Sequence, residues 1–310
     1  MDTGRLVVSV ARHLDVVTSL SLADAGGGYA RLVTGSRDTT LMVWRVDPGR
    51  NPPIATTSPV HVLYGHDTPV TCVAADASLD VVVSSGEDGT IVMHTLWTGE
   101  YVRTIAPSGL SPASQPPLVV QRPSPGSVTM KEGLEAPAKG TTSEGSRVGC
   151  GGGGGGGEPP WPALDWVGLS REGYVVSFSA VGGFILRSYT INGHALGSAC
   201  VGECLRAFAF SEDGAVLLTG GEGRRVTLRW AHSLSLADDG TREGCGEALL
   251  TGACVQNGVS AFSSTVRCLA LTAGERHLLV GLEDGCLGVL ALDASYLRQR
   301  LRSRLDQLGF

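Results

Sequence analysis

Three side chains in the first third of the chain have the residue types of a catalytic triad. His66, Ser84 and Asp88 supply a base, a hydroxyl and a carboxylate, the groups with which serine hydrolases activate a nucleophile. The matching residues one repeat earlier are His13, Thr34 and Asp38. An active site is not duplicated in successive repeats, so the sequence predicts that both sets are structural and that the chain is not an enzyme.

Other groups that could bind a ligand give weaker signals. Cys200 and Cys204 form the nearest pair of the eight cysteines, but no second Cys or His pair follows at the spacing of a zinc site. The glycine run 151–157 lacks the Gly-Lys-Ser/Thr of a phosphate-binding loop. We therefore predict no metal and no cofactor. Most cysteines lie in apolar runs, as Cys268 does, which predicts reduced thiols packed as small hydrophobic side chains.

Short β-rich segments must position these residues. They alternate with turn residues along the chain, and helical periodicity is almost absent before Ser295. A chain of 310 residues that is 42% hydrophobic is long enough to bury a substantial core. The sequence predicts an all-β protein.

The β-rich segments repeat, and a period of about 40–45 residues is typical of propeller blades. Asp38 precedes Trp44 by six residues, and Asp88 precedes His94 by the same six. Three further copies span 164–197, 205–230 and 266–290, and the last of them contains Asp284. Five repeats are therefore visible.

The order Gly-His, then Ser/Thr-Gly-x-x-Asp, then a strand Trp resembles the WD repeat. In that family one His, one Ser/Thr, one Asp and one Trp form a hydrogen-bonded chain within each blade. The resemblance gives these roles in the first repeat to His13, Thr34, Asp38 and Trp44. In the second repeat it gives them to His66, Ser84, Asp88 and His94, with His94 in place of Trp. A turn carboxylate can accept backbone and imidazole N–H groups and so hold two loops together.

Longer strings resemble the C-terminal propeller of BEACH-domain proteins of the neurobeachin-like branch. These strings are VARHLDVVTSL, VTGSRDTTLMVW, VLYGHDTPV, EDGTIVMHTLWTGEYVRTI, INGHALG and HLLVGLEDGCLGVL. The resemblance implies a non-catalytic protein-interaction scaffold in vesicle trafficking and membrane dynamics, cytoplasmic, with peripheral contact at endomembranes. The implied partners are proteins or peptides and the BEACH domain of the same parent protein. The alternative is a generic WD-repeat adaptor, such as a substrate receptor of a ubiquitin ligase.

Composition divides the chain into four segments. Residues 1–106 are predicted to hold two repeats, preceded at 6–10 by the last strand of an earlier blade. The Pro-, Gly- and Ser-rich segment 107–160 has too few apolar residues to offset its ordering entropy and is predicted to be a disordered insertion. Residues 161–294 hold further blades, and 295–310 form a helix. This predicts a β-propeller with about five to six recognisable blades in an incomplete ring.

The predicted C-terminal helix is amphipathic. Its leucines fall on one narrow stripe, and four arginines lie on the two flanks: Arg298, Arg300, Arg302 and Arg304. Such a helix can pack on the propeller edge, bind a protein partner or lie on an anionic membrane. Docking or protein contact is favoured, because so short a stripe gives only weak, salt-sensitive membrane binding.

The overall charge and hydropathy exclude further classes. A formal net charge of −6 provides no basic surface for nucleic acid. No stretch reaches the length of about 18 apolar residues that a membrane-spanning helix needs, and the N-terminus lacks the apolar core of a signal peptide. We expect no nucleic-acid partner and no membrane span.

Overall fold

The computed structural model describes residues 6, 8–24, 26–47, 49, 58–105, 164–236, 250–251 and 262–292. Within these residues all secondary-structure elements are β-strands, and the strands form five antiparallel sheets. The all-β class predicted from the sequence is confirmed, and each of the five repeats forms one sheet. The predicted insertion at 107–160 and the predicted helix at 295–310 lie outside the described residues.

The first sheet is a four-stranded meander in the order β1-β2-β3-β4. Its strands are β1 (Val17–Asp24), β2 (Ala30–Ser36), β3 (Leu41–Val46) and β4 (His61–Leu63). The turn from β1 to β2 contains Gly26, Gly27 and Gly28, whose φ angles lie between +65° and +83°. Only glycine adopts such angles without steric cost, so this glycine run lets the chain reverse there.

The second and third sheets repeat the meander. The second contains β5 (Val70–Asp76), β6 (Val81–Gly86), β7 (Ile91–Thr95) and β8 (Tyr101–Ile105). The third contains β9 (Trp166–Leu169), β10 (Tyr174–Ser179), β11 (Ile185–Thr190) and β12 (Ala195–Cys200). Their central strands β6, β7 and β10 all contain β-branched residues and are buried over most of their length, as expected for strands covered on both faces.

The fourth and fifth sheets differ from this plan at their fourth strand. The fourth sheet pairs β13 (Leu205–Phe210), β14 (Val216–Gly221) and β15 (Val226–Trp230), followed by one isolated bridge between Arg229 and Leu236. The fifth contains β16 (Leu250–Thr251), β17 (Val266–Leu271), β18 (His277–Leu282) and β19 (Leu287–Leu292) in the order β16-β19-β18-β17. Its fourth strand therefore comes from the segment that precedes the other three.

Neighbouring sheets pack face to face through four apolar clusters. Between the first and second sheets, Val33 and Leu41 pack with Val70 and Val73. Met93 and Tyr189 belong to the cluster between the second and third sheets, and Phe178 and Leu217 to the one between the third and fourth. Leu228 and Val280 belong to the cluster between the fourth and fifth sheets. Within the described residues no such cluster joins the fifth sheet to the first. The five sheets therefore form an open row and not a closed ring, as the sequence predicted.

Both ends of this row expose apolar side chains whose counterparts are buried at the junctions. The first strands of the first two sheets have a register shift after their first residue, at Val17 in β1 and at Val70 in β5. Leu20 thus corresponds to Val73, and the exposed fraction is 63% for Leu20 but 5% for Val73. At the other end Leu287 is 66% exposed. These two faces lack the neighbouring sheet that covers their counterparts.

The segment 6–10, predicted as the last strand of an earlier blade, has no strand partner among the described residues. Leu6 and residues 8–10 are outside any strand, because no described strand lies beside them to accept their backbone hydrogen bonds. Instead, Val8 and Val10 line a cavity of about 420 Å³ on the outer face of the first sheet, together with Leu20 and Trp44. In the described structure the segment lies against the first sheet, and its pairing in an earlier blade stays a prediction.

The cysteines are less buried than their apolar surroundings suggest. Cys268, expected in the core, is exposed, as are Cys200 and Cys286, and all described cysteines are free thiols. After the register shift that separates Val266 from Cys268, Cys268 points away from the fourth sheet while Val266 is fully buried against it. Alternation along the strand, which an apolar run conceals, accounts for the difference.

Candidate interaction surface

A hydrogen-bonded chain connects four side chains of the first sheet. His13 Nδ1 lies 3.0 Å from Asp38 Oδ2, and His13 Nε2 lies 2.7 Å from Thr34 Oγ1. Trp44 Nε1 donates to the same hydroxyl over 3.2 Å. If Nδ1 carries the proton that the carboxylate accepts, Nε2 accepts the Thr34 proton, so the chain runs in one direction from Trp44 to Asp38. The structure thus brings together all four residues assigned to the first repeat.

Asp38 is the point at which this chain meets the backbone. Its carboxylate also accepts hydrogen bonds from Leu14 N at 2.8 Å and from Thr40 N at 3.0 Å and Thr40 Oγ1 at 2.6 Å. Burial alone raises the pKa of Asp38, but the bonds from Thr40, Leu14 and His13 outweigh burial and lower this pKa to about 2. The charged form holds the β2–β3 turn to the segment before β1.

The corresponding chain in the second sheet is incomplete. His66 Nε2 lies 2.8 Å from Ser84 Oγ, as expected. His94, which replaces Trp, does not reach Ser84: its Nε2 lies 2.8 Å from the carbonyl oxygen of Tyr64. Asp88 accepts from Thr90 N and Thr90 Oγ1 at 3.0 and 2.8 Å, while His66 Nδ1 has no hydrogen-bond partner among the described residues.

Both histidines of the second sheet are buried and uncharged. Burial lowers the pKa of His66 to about 4, although the nearby Asp88 raises it in part. Burial also lowers the pKa of His94, although the hydrogen bond to the Tyr64 carbonyl oxygen raises this pKa in part. An imidazole among apolar neighbours is costly to protonate, so neither ring carries charge at neutral pH.

A hydrolase arrangement of His66, Ser84 and Asp88 is not formed. Ser84 is fully buried and its hydroxyl lies 3.2 Å from the carbonyl oxygen of Val92, so a substrate carbonyl cannot approach it. The base is not oriented by the carboxylate, since His66 Nδ1 has no partner in the described part of the chain. A catalytic triad requires an accessible nucleophile and a base that the carboxylate orients.

The remaining predicted positions are partly described. Asp284 in the β18–β19 turn accepts a hydrogen bond from Cys286 N at 2.9 Å, and its own N–H donates to Ser264 Oγ at 3.1 Å. It therefore closes a turn, as Asp88 does, but on an exposed surface. The four C-terminal arginines lie outside the described residues. The described ranges contain no group of three His, Cys, Asp or Glu residues placed to bind a metal ion, and no helix in them could cross a membrane.

Hydroxyl groups of β1 form contacts between sheets that the sequence did not reveal. Ser19 Oγ and Ser21 Oγ accept the N–H groups of Val73 and Ala75 at 3.1 and 3.0 Å. Thr18 Oγ1 donates to the carbonyl oxygen of Val70 over 2.7 Å. The alternation of Ser19 and Ser21 on one strand face is the only signal that could have indicated them, because their partners lie more than fifty residues away.

A second cluster missed from the sequence lies at the opposite end of β2 from Asp38. It consists of Tyr29, Arg31, Arg45 and Trp97, and we call it the basic-aromatic patch. The Arg31 Cζ lies 5.2 Å from the Trp97 ring centroid, and the Arg45 Cζ lies 4.4 Å from the Tyr29 ring centroid. The two rings meet edge to face, with centroids 6.4 Å apart. The patch spans the first two sheets.

These two sheets lie within residues 1–122, which match the sequence model of the neurobeachin beta propeller domain. Residues 1–122 are therefore similar to the WD-repeat propeller region of BEACH proteins. The family resemblance predicted from the sequence is thereby confirmed, and a WD-type region of this kind is a protein-interaction region.

Curated relatives with BEACH names each match about a third of the chain. BEACH domain-containing protein B of Arabidopsis thaliana is 38% identical over 126 residues, which cover 35% of this chain and 5% of that protein. BEACH domain-containing protein lvsE of Dictyostelium discoideum is 33% identical over 97 residues, 31% of this chain and 4% of the relative. A putative neurobeachin homolog of Caenorhabditis elegans is 31% identical over 117 residues, which cover 35% of this chain and 5% of that protein. The chain thus matches at most about a twentieth of the length of these relatives.

The arrangement of the sheets is also similar to a solved structure. A chain in the crystal structure of a mitotic checkpoint complex aligns with a TM-score of 0.55, over 91% of this chain and 64% of that one. The sequence identity is 12%, so the likeness shows the fold alone. It confirms the propeller-type fold that the repeats predicted.

Proposed function

We propose that this chain is a non-catalytic scaffold that recruits proteins in vesicle trafficking and membrane dynamics, as the WD-repeat region of a BEACH protein. The observation that carries the proposal is the match of residues 1–122 to the neurobeachin propeller domain. The scaffold acts in the cytoplasm, with peripheral contact at endomembranes.

The arrangement of the polar side chains supports a non-catalytic role. The acid, base and hydroxyl groups of the first two sheets are used in turn closure, and Ser84 and His66 are buried. In the first sheet the side chains of His13 and Asp38 are only 6% and 7% exposed. Groups that are occupied in this way stabilise the blades, which leaves the exposed loops between strands to contact partners.

The expected partners are proteins or peptides, among them the BEACH domain of the parent protein. The turns between strands carry exposed charges, such as Glu222 and Glu283, whose side chains are about half exposed. Loops held by a rigid sheet are the usual recognition elements of such folds. Partner choice is therefore expected to depend on loop residues and not on the buried networks.

Affinity purification of the tagged chain tests this function. We expect trafficking proteins to be enriched, and we expect a separately purified BEACH domain to bind the chain directly. The Val73→Asp variant, which places a carboxylate in a 5% exposed core position, serves as the unfolded control, because proteins captured by it bind non-natively. Enrichment of ubiquitin-ligase subunits, with no BEACH-domain binding, would favour a substrate receptor instead and contradict the proposal.

A further inference from the structure

The basic-aromatic patch contains two arginines at directly opposite positions of neighbouring strands. Arg31 in β2 pairs with Arg45 in β3, and residues paired in this way have Cβ atoms about 5 Å apart on the same face of a sheet. Like charges at such positions repel each other. Their placement requires compensation, and the rings of Trp97 and Tyr29 provide part of it.

The hydrogen-bonding capacity of these guanidinium groups is not used within the described chain. Arg31 Nε and Nη1 are buried and have no hydrogen-bond partner among the described residues. Some guanidinium groups elsewhere have carboxylate partners, as Arg206 Nη2 lies 2.7 Å from Glu222 Oε1. Arg31 is the one arginine in the described residues with two buried unpaired nitrogens, while Arg103, Arg187 and Arg229 have one each. A buried guanidinium donor without an acceptor is costly. Arg45 is exposed and can be reached directly by a carboxylate, whereas the side chains around Arg31 must shift for its two buried nitrogens to gain an acceptor.

Asp24 and Asp80, which adjoin residues of the patch, accept backbone N–H groups. Asp24 Oδ1 accepts the N–H of Gly26 at 2.9 Å. Asp80 Oδ1 accepts the N–H of Trp97 at 2.9 Å, which fixes the turn that presents the indole ring. These carboxylates shape the patch and are not ion-pair partners of the arginines in the described structure.

We propose that the basic-aromatic patch binds a carboxylate-rich segment of a protein partner. A guanidinium stacked on a ring keeps its planar N–H edge free, and that edge matches a carboxylate in bidentate geometry. Tyr29 and Trp97 add rigid apolar area beside the charge, and Tyr, Trp and Arg are the residues that dominate binding at protein interfaces. An acidic peptide therefore matches the patch in both charge and shape.

A lipid surface fits the patch less well. Binding to anionic membranes grows with the number of basic residues, and the patch contributes only two. Tyr29, Arg31 and Trp97 are each partly buried between the first two sheets, whereas a membrane contacts residues that project from the surface. The recessed, stacked arrangement favours a single extended segment over a flat headgroup layer.

Fluorescence anisotropy with a labelled oligoglutamate peptide tests the proposal, with an oligoglutamine peptide of equal length as the probe control. The Arg31→Gln/Arg45→Gln variant removes both charges but keeps the side chains similar in length. Arg37→Gln is the matched control, since Arg37 lies near the opposite end of the same hairpin and its contact with Glu87 is a long, exposed one of 3.9 Å. We expect Kd for oligoglutamate to rise about tenfold or more in the double variant and less than about twofold in the control.

A second variant keeps the test valid if the first is less stable. Arg31→Lys/Arg45→Lys retains the charges but loses the planar fork, and we expect binding between that of the wild type and that of the glutamine variant. Equal affinity for the two peptides would overturn the proposal. So would an equal loss in Arg37→Gln, or binding to phosphatidylserine vesicles that depends on Arg31 and Arg45 without any binding of the peptide.

This proposal rests on the proposed scaffold function, since it names the chemistry of one partner. The two can fail separately. If the glutamine double variant still captures trafficking proteins and the BEACH domain while the wild type does not bind oligoglutamate, the patch proposal fails and the scaffold function remains. If the wild type binds oligoglutamate through the patch but captures no trafficking protein, the scaffold function fails instead.

Discussion

Gly35 in the first sheet lies directly against Val70 in the second, and a methyl group on Gly35 would come within 2.8 Å of Val70 Cγ1. Gly220 has the same relationship to Val266, because a methyl group on Gly220 would come within 2.7 Å of Val266 Cγ1. The contact therefore recurs at the junction of the first two sheets and at the junction of the last two. A glycine at this strand position allows the next sheet to approach closely.

We predict that Gly35→Ala lowers the free energy of unfolding by about 1–3 kcal/mol, because Val70 is fully buried and cannot move aside without disturbing the junction. Urea denaturation measures the change. Gly49→Ala is the control, since its nearest neighbour atom is 4.0 Å away, and it should change stability by less than about 0.5 kcal/mol. Equal effects of the two substitutions would show that the junction is looser than described.

A second prediction separates the two turn aspartates. Asp38 accepts hydrogen bonds from His13, Leu14 and Thr40, whereas the described bonds to the carboxylate of Asp88 come from Thr90 alone. We expect Asp38→Ala to cost about 2–3 kcal/mol and Asp88→Ala about 1 kcal/mol, because the first substitution leaves more donors unpaired.

Thermal melting and partner binding, measured together, check this prediction. Both variants should lose stability in the stated order and keep their partner affinity at temperatures where they remain folded. An unchanged melting temperature with lost binding would mean that these aspartates contact partners, and the structural role would then be wrong.

The sequence predicted those features that depend on local spacing. The six-residue interval from Asp38 to Trp44 indicates a turn followed by a strand, and the replacement of Trp by His94 indicated where a hydrogen-bonded chain would be disturbed. Features that depend on the register between distant strands were not predictable. The pairing of Arg31 with Arg45 and the outward direction of Cys268 follow from hydrogen bonds between strands, which no local pattern encodes.

The strand predicted at 6–10 likewise depends on residues outside the local sequence. Its valines have the composition of a strand, but a strand also requires a neighbour that pairs with its backbone. Composition can indicate that a segment is extended and apolar. Whether it joins a sheet is decided by residues far away in the chain.

A third prediction concerns pH. The pKa of His66 falls from 6.5 to about 4 on folding, so between these values the unfolded chain binds a proton that the folded chain does not. Stability therefore falls as the pH is lowered from 6.5 to 4, by about 3 kcal/mol for this residue. The contribution of Asp38, whose pKa is lowered to about 2, is lost at lower pH, as the pH falls from about 4 to 2.

Urea denaturation across pH 4–7 measures this dependence, and Gln variants assign it. His66→Gln is expected to be less stable than the wild type at pH 7, because Ser84 loses its partner, yet its stability should fall less toward pH 4. His277→Gln is the control: His277 is exposed, and the variant should retain the full pH dependence. If His66→Gln and the wild type have equal slopes, His66 is not held in its neutral form.

The last prediction concerns the exposed end of the row. Leu20 and Val73 occupy corresponding positions after the register shifts of β1 and β5, but only Val73 is covered by a neighbouring sheet. Asp at position 73 would bury a carboxylate beside Val33 and Val43, which is expected to cost about 3 kcal/mol or more. Asp at position 20 would face solvent, and the expected change is within about 0.5 kcal/mol.

Thermal melting of Val73→Asp and Leu20→Asp compares them directly, with Leu20→Asn and Val73→Asn distinguishing charge from polarity. A large destabilisation by Leu20→Asp would mean that the outer face of the first sheet is covered in solution, and the row of sheets would then not be open at that end.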